Sequence, residues 1–121
     1  MCDFVGVPIG SLVLDKLVEY VNAATGWDTS LYELLKVGER ANTMMRLFNL
    51  REGFTEKEDA LPERFTSSPP DSPLKGIGVD PEKLAGARKV YYQMLGWDES
   101  GVPTYGKLVE LNIEWAAKYL R

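Results

Sequence analysis

Histidine is absent from this 121-residue chain, and cysteine occurs only once. Without histidine the chain lacks the commonest general acid or base near neutral pH and the commonest zinc ligand. A self-contained Ser-His or Cys-His catalytic site is therefore excluded. A single cysteine cannot form an internal disulfide bond, which is typical of proteins from a reducing compartment. A metal site built by this chain alone would have to use carboxylates, and no calcium-loop spacing is present.

Long apolar runs and a positive charge are also missing. No run approaches the ~20 apolar residues that a membrane-spanning helix needs, and the first residues show no basic leader before an apolar stretch. The net charge of −4 argues against nucleic acid as a partner. We therefore expect a cytoplasmic protein that binds neither nucleic acid nor membrane.

The residues that are present favour an all-α fold. Hydrophobic residues make up 45% of the chain, enough for one ordinary core, and no β pattern of useful length occurs. We predict a single irregular multihelical domain over residues 1–121, with five or six helices. Residues 62–79 lack periodicity and are rich in Pro, Gly and Ser, so they are predicted to form a long surface loop.

The segment 29–54 carries the longest helical period in the chain. At 100° per residue one face collects seven apolar or small residues together with Asn42 and Asn49. Further apolar residues lie on other sides, so this helix is expected to have neighbours on several faces. The two asparagines either fasten a neighbouring backbone loop or face a polar group of another domain. The seven residues are Leu31, Leu34, Leu35, Gly38, Ala41, Met45 and Phe48.

Local signals predict where the helices begin and end. Ser11, Ser30 and Asp80 are predicted N-caps, Glu33 completes a capping box with Ser30, and Pro81 takes the first helical position of the next helix. Thr55 and Glu58 repeat the capping-box spacing and predict a short acidic turn or helix. The helix after Asp80 is expected to bury one face, formed by Leu84, Ala87, Val90, Tyr91 and Met94.

The tripeptide Gly-Trp-Asp occurs at 26–28 and again at 96–98. Both copies are predicted to end a helix in the same way. The glycine stops the helix, the tryptophan folds back on its last turn, and the aspartate accepts backbone N–H groups. A short helix is expected to follow Thr104, with a last one near residues 114–120.

Few residues suggest chemistry by themselves. Cys2 could be a reactive thiol or a metal ligand, although a lone cysteine is more often inert. Arg40, Arg46 and Arg51 could clamp a carboxylate or phosphate, but Glu33, Glu39 and Glu52 lie nearby on the same helix. Ion pairing on the helix surface is therefore the expected arrangement.

Several segments resemble the C-terminal part of the aldehyde:ferredoxin oxidoreductases, a family of tungsten- or molybdenum-pterin enzymes. The most specific is RLFNLREGF at 46–54. The likeness begins with NAATGWD at 22–28 and GER at 38–40, and it continues with DALPERF at 59–65, YYQMLGWD at 91–98 and GVP at 101–103. It covers almost the whole chain.

The resemblance implies a C-terminal domain of a much longer enzyme that is inactive by itself. The parent would hold a tungsten or molybdenum bis-pterin and one 4Fe-4S cluster, oxidise an aldehyde to a carboxylic acid and pass electrons to ferredoxin. In the family a cysteine closely followed by phenylalanine is the fourth cluster ligand, and Cys2 fits that position. The residue before it contacts the pterin, and Met1 occupies that place.

The partners implied are the remaining domains of the parent and ferredoxin, with a homo-oligomer as a further possibility. Asn42, Asn49 and the all-round apolar half of the long helix would then pack against a missing domain. The alternative is a free-standing helical interaction module derived from this family without catalysis, and the absence of histidine fits both readings.

Overall fold

A computed structural model describes residues 14–67, 71, 73 and 75–120. Over these residues the chain forms four α-helices and two 3₁₀ helices and no strand, and its only β-type pairing is an isolated bridge between Trp97 and Pro103. The prediction of an all-α multihelical fold is thus confirmed. The chain divides into two compact units, Met1–Asn42 and Thr43–Arg121.

Helix α1 spans Leu14–Thr25 and ends at the predicted glycine. Gly26 has a φ of 73°, and its N–H donates to the carbonyl of Asn22 over 2.8 Å. The Asn22 side chain then binds both the N–H and the carbonyl of Thr29, at 3.0 and 2.9 Å. This asparagine holds the corner between α1 and the next helix. The predicted N-cap Ser11 lies outside the described residues.

Helix α2 spans Leu31–Arg51 and has the predicted signals at both ends. The Glu33 carboxylate accepts from the Ser30 N–H at 2.8 Å, and the Glu33 N–H donates to the Ser30 hydroxyl at 3.3 Å, which completes a capping box. At the other end Gly53, with a φ of 93°, donates to the Leu50 carbonyl, and Phe54 donates to the Asn49 carbonyl. This pair of bonds is a Schellman motif.

The segment after α2 is a turn followed by the predicted loop. Glu58 accepts from the N–H and the hydroxyl of Thr55, so the capping-box spacing closes a turn instead of opening a helix. Within 62–79 the described residues are exposed and include the 3₁₀ helix Glu63–Phe65. The Val79 N–H donates to the Phe65 carbonyl at 2.8 Å, which closes the loop at its base.

Helix α3 spans Pro81–Met94, and Asp80 caps it as predicted, accepting from the N–H groups of Glu82 and Lys83. The second Gly-Trp-Asp copy follows. Gly96 has a φ of 71°, and the Asp98 carboxylate accepts from the N–H groups of Ser100 and Val102, both at 2.9 Å. The helix ending predicted for both Gly-Trp-Asp copies is therefore confirmed for both glycines and for Asp98. It is wrong for Trp27, which is 65% exposed, because the first corner is closed by Asn22.

Helix α4 spans Tyr105–Glu110 after its N-cap Thr104, and a second 3₁₀ helix spans Glu114–Tyr119, both where the sequence predicted short helices. The hydrophobic core of the second unit lies where these two elements meet α2. Its members are Leu47, Leu108, Leu111, Ile113 and Ala116, with Ala117 and Leu120 packed against them.

The predicted buried face of α3 is wrong, and most of the apolar stripe on α2 is exposed. In α3, Val90, Tyr91 and Met94 are exposed, Met94 by 79%, whereas Tyr92 is buried. In α2, Leu35, Met45 and Phe48 are exposed, and the buried residues are Thr43, Arg46 and Leu47. A helix with apolar residues on several sides has no unique inward face in its sequence. The elements packed against it decide which side is buried.

Removal of the α3 cap should measurably destabilise the protein. Asp80→Ala deletes the acceptor of two helix N–H groups and should lower the free energy of unfolding by about 1 kcal/mol. Asp71→Ala, in the exposed loop, is the control and should change it by less than about 0.5 kcal/mol. Urea denaturation followed by circular dichroism measures both values, and equal effects would contradict the capping role.

Candidate functional site

Met1 and Cys2, the two site residues predicted from the sequence, lie outside the described residues. Those residues that the structure does describe contain no group of three or more His, Cys, Asp or Glu that could hold a metal ion. They therefore offer among themselves no ligand set for an iron-sulfur cluster. No helix among them is long and apolar enough to cross a membrane.

Arg46 is the most unusual side chain of the second unit, because it is charged and only 6% exposed. Its Nη1 lies 2.8 Å from Asp59 Oδ2, and its Nε donates to the Gly101 carbonyl over 2.8 Å. The predicted surface ion pair is therefore wrong for Arg46: its partners lie in distant loops because it faces the interior. The prediction is confirmed for Arg51, which pairs with Glu52 at 2.7 Å.

Two neighbouring aromatic rings lie close to the Arg46 guanidinium. Its Cζ lies 5.7 Å from the ring centroid of Tyr92 and 5.6 Å from that of Trp97, and the two rings are 5.9 Å apart. A cation this close to a ring is attracted to its face, by about 2 kcal/mol or more when the pair is desolvated. Gly101 completes the group, because a Cβ there would meet both the guanidinium and the Tyr92 ring. We call Arg46, Asp59, Tyr92, Trp97 and Gly101 the Arg46 cluster.

The Tyr92 hydroxyl donates a short hydrogen bond to the Asp59 carboxylate, which thus receives both Tyr92 and Arg46 on Oδ2. Burial, followed by this hydrogen bond, raises the pKa of Tyr92 to about 12. The phenol therefore stays protonated at neutral pH and cannot act as a base or nucleophile. Arg88 fixes the same segment from α3, because its Nη1 donates to the carbonyls of Glu56 and Asp59.

The Arg46 cluster is consequently a structural clasp that joins four segments. It ties α2 to the turn at Asp59, to α3 and to the turn that ends at Gly101. Its charged groups, Arg46 and Asp59, are paired with each other. The one buried side-chain polar atom recorded without a hydrogen bond among the described residues is Trp97 Nε1.

Sequence reasoning did not find this clasp. Asp59, Tyr92 and Gly101 are far apart along the chain, and only Arg46 had been singled out. One feature of the sequence could have indicated it: Arg46 lies beside apolar residues on a helix, which is compatible with burial. A buried guanidinium requires a carboxylate partner from elsewhere in the chain. Asn42 and Asn49, the other polar residues singled out on α2, are both exposed. Neither fastens a loop of the described chain.

A cavity of about 520 Å³ lies between the end of α2 and the second 3₁₀ helix, and its lining includes Phe54, Glu56, Lys118 and Tyr119. A smaller apolar groove of about 140 Å³ adjoins it and shares Arg51 and Tyr119 with the cavity. Five large side chains on these two depressions are each between 40% and 55% exposed. We call them the apolar face: Met44, Phe48, Phe54, Trp115 and Tyr119.

Residues 1–113 match the family model described as aldehyde ferredoxin oxidoreductase, domains 2 and 3. The chain belongs to this family. A tungsten-containing aldehyde ferredoxin oxidoreductase from Pyrococcus horikoshii is 40% identical over 116 residues, which are 94% of this chain and 18% of that protein. The protein of the same name from Pyrococcus furiosus is 38% identical over 115 residues, 93% of this chain and 18% of its own.

A more distant relative from Pyrococcus furiosus is named aliphatic sulfonate oxidoreductase, WOR-like subunit. It is 30% identical over 127 residues, 100% of this chain and 20% of that protein. The chain thus spans about a fifth of the length of the curated relatives it matches.

Within this member of the aldehyde ferredoxin oxidoreductase family, several residues of RLFNLREGF at 46–54 have structural roles. Arg46 is the centre of the clasp, Leu47 belongs to the core, and Gly53 and Phe54 form the Schellman ending of α2. Of the two remaining apolar side chains, Phe48 lies on the apolar face and Leu50 lines the cavity of about 520 Å³. This segment thus contributes to the clasp, to the core and to the end of α2 in the second unit.

Addition of a methyl group at Gly101 should disrupt the clasp. Gly101→Ala places a Cβ against Arg46 and 2.8 Å from Tyr92 Cζ, in a residue whose φ is 74°. We expect a loss of roughly 2–4 kcal/mol in the free energy of unfolding, from left-handed backbone strain and overpacking. Gly86→Ala in α3 has open space around its Cβ and should be neutral or stabilise by up to about 1 kcal/mol. A loss in both variants, measured by urea denaturation, would contradict the clasp.

The raised pKa of Tyr92 predicts a late ionisation and a pH-dependent stability. One of the six tyrosines should ionise near pH 12 in a spectrophotometric titration, and Tyr92→Phe should remove that phase while Tyr91→Phe leaves it. The native state keeps a proton that the unfolded chain loses near pH 10, so the stability from this group is full below pH 10 and is lost as pH rises through 12. A late phase that survives in Tyr92→Phe would contradict the assignment.

Proposed function

We propose that residues 1–121 act as one helical domain, the C-terminal part of a tungsten-dependent aldehyde ferredoxin oxidoreductase. The observation that carries the proposal is the match to tungsten-containing relatives along 94% of this chain and only 18% of theirs. The parent oxidises an aldehyde to a carboxylic acid and passes electrons through a 4Fe-4S cluster to ferredoxin. The metal and pterin supply the redox chemistry, and the chain described here contributes structure.

Within this proposal Cys2 is the fourth ligand of the cluster and Met1 contacts the pterin. A thiolate is the normal protein ligand of a 4Fe-4S cluster. A ligand contributed by this domain to a cluster held mainly by another would join the two domains around one cofactor. Support comes from the Cys2-Asp3-Phe4 sequence, which resembles the family's pattern.

The same reasoning makes the isolated chain inactive. The described residues contain no metal-binding group, and the polar groups of the Arg46 cluster are bound to one another. An aldehyde oxidation that depends on the metal and pterin therefore requires the rest of the enzyme.

The role of Cys2 can be tested in the full-length polypeptide that contains this domain. Cys2→Ser should lower the iron content and remove or alter the electron-resonance signal of the reduced cluster, because serine is a poor substitute for a thiolate ligand. Ser11→Ala, nearby in the chain, is the control and should retain both. Unchanged iron and an unchanged signal in Cys2→Ser would contradict the assignment.

The purified 121-residue chain, in the same series, should show no aldehyde-dependent reduction of a viologen dye. Measurable oxidation by a metal-free sample would overturn the proposal. An immunoblot of cell extract provides a further check, because the parent should appear at about five times the length of this chain. A product of 121 residues alone would favour the free-standing interaction module.

A further inference from the structure

The apolar face is an exposed surface built from two elements of the second unit and the residue Phe54. Met44 and Phe48 lie one turn apart on α2, Phe54 follows its last turn, and Trp115 and Tyr119 come from the second 3₁₀ helix. All five are about half exposed. They line two adjoining depressions, so their exposed surfaces are neighbours and not scattered over the molecule. A contiguous exposed patch of large apolar side chains is the usual sign of an interaction site.

The two depressions differ in what they can accept. The cavity of about 520 Å³ is within the range of pockets that take a drug-sized ligand, about 300–1,000 Å³. It is open and mixed in polarity, and it has room for more than one side chain. The groove of about 140 Å³ is bounded by Met44, Leu47, Phe48 and Trp115 and is suited to one apolar side chain. Together they fit a segment that presents large side chains at two points.

Two cationic groups, Arg51 and Lys118, border this surface together with one carboxylate, Glu56. Lys118 lines the cavity with its Nζ 5.0 Å from the centroid of the Tyr119 ring, and no carboxylate pairs with it among the described residues. Arg51 lies over the Phe48 ring at 4.8 Å and pairs only with its exposed neighbour Glu52, an interaction of small value. The cation–aromatic pairs keep both charges beside the apolar side chains. A carboxylate on the occupant would therefore be favoured.

We propose that the apolar face docks an apolar segment that carries a flanking Asp or Glu and belongs to the remainder of the parent polypeptide. This inference rests on the proposed function. The relatives carry about four fifths of their length outside the matched region, so a large amount of polypeptide is available to cover the face. Phe48 and Trp115 are the central contacts, and Lys118 meets the carboxylate. Aromatic anchors with charged residues at the rim are the usual energetic pattern of such interfaces.

The test uses the purified 121-residue chain and overlapping synthetic peptides that cover the unmatched part of the Pyrococcus horikoshii relative. The wild-type chain should bind a small set of these peptides, each with large apolar residues beside an Asp or Glu. Phe48→Glu should weaken binding roughly tenfold or more. Lys118→Glu should weaken it a few-fold and reduce its dependence on salt. Met94→Glu is the matched control, because Met94 is exposed, apolar and helical but lines neither depression, and it should bind like the wild type.

Circular dichroism of each variant confirms that its helix content is retained, since the changed side chains are all largely exposed in the chain. The proposal is overturned if no peptide binds, or if Phe48→Glu and Met94→Glu bind alike. Sedimentation of the wild-type chain tests separately whether the apolar face binds a second copy of the chain. A dimer that Phe48→Glu dissociates would assign the face to a second copy and would also overturn the proposal. The iron measurement on Cys2→Ser is independent of these results, so the docking surface can fail while the proposed function stands.

Discussion

The burial of the Arg46 guanidinium is the constraint on which the second unit depends. A charge removed from water must be matched by a carboxylate and by hydrogen-bond acceptors, and here these come from Asp59 and the Gly101 carbonyl. Each partner lies in a segment without regular structure of its own. The need to satisfy one cation thus positions the turn after α2 and the turn after α3, while the neighbouring rings of Tyr92 and Trp97 both lie close to it. Gly101 is required because any side chain there would occupy the space of the guanidinium.

The Arg46 cluster is important for holding the segments of the second unit together, because the apolar core formed by the described residues is small. Five hydrophobic residues form the buried cluster, whereas many large apolar side chains on α2, α3 and the second 3₁₀ helix are exposed. Many large apolar side chains of the described residues are therefore not covered by other described residues. Membership of a family whose curated relatives are about five times longer gives a physical reason. On the docking proposal, the side chains of the apolar face contact polypeptide outside this region.

The family assignment and the structure therefore give different kinds of information about this chain. The family match identifies the chemistry of the relatives, and the described residues explain how the second unit is held together. Cys2 and Met1 carry the proposed link to the cofactor, outside the described residues. The Arg46 cluster and the apolar face concern folding and docking, and both lie in the second unit.

The sequence by itself determined the features that depend on neighbouring residues. The helix ends were predicted correctly, because helix caps and left-handed helix stops are made by residues a few positions apart. The residues concerned are Ser30 with Glu33, Asp80 with Pro81, Thr104, and the glycines at 26, 53 and 96. The family likeness was also readable from short segments. The tertiary structure alone decided which side of α2 and α3 faces inward and which charge is buried. Arg46 meets Asp59 and Gly101 across 13 and 55 positions, and Tyr92 rather than Met94 is covered because the elements that pack against α3 stand on that side. Such contacts depend on where distant segments come to lie, and no local pattern of residues encodes that.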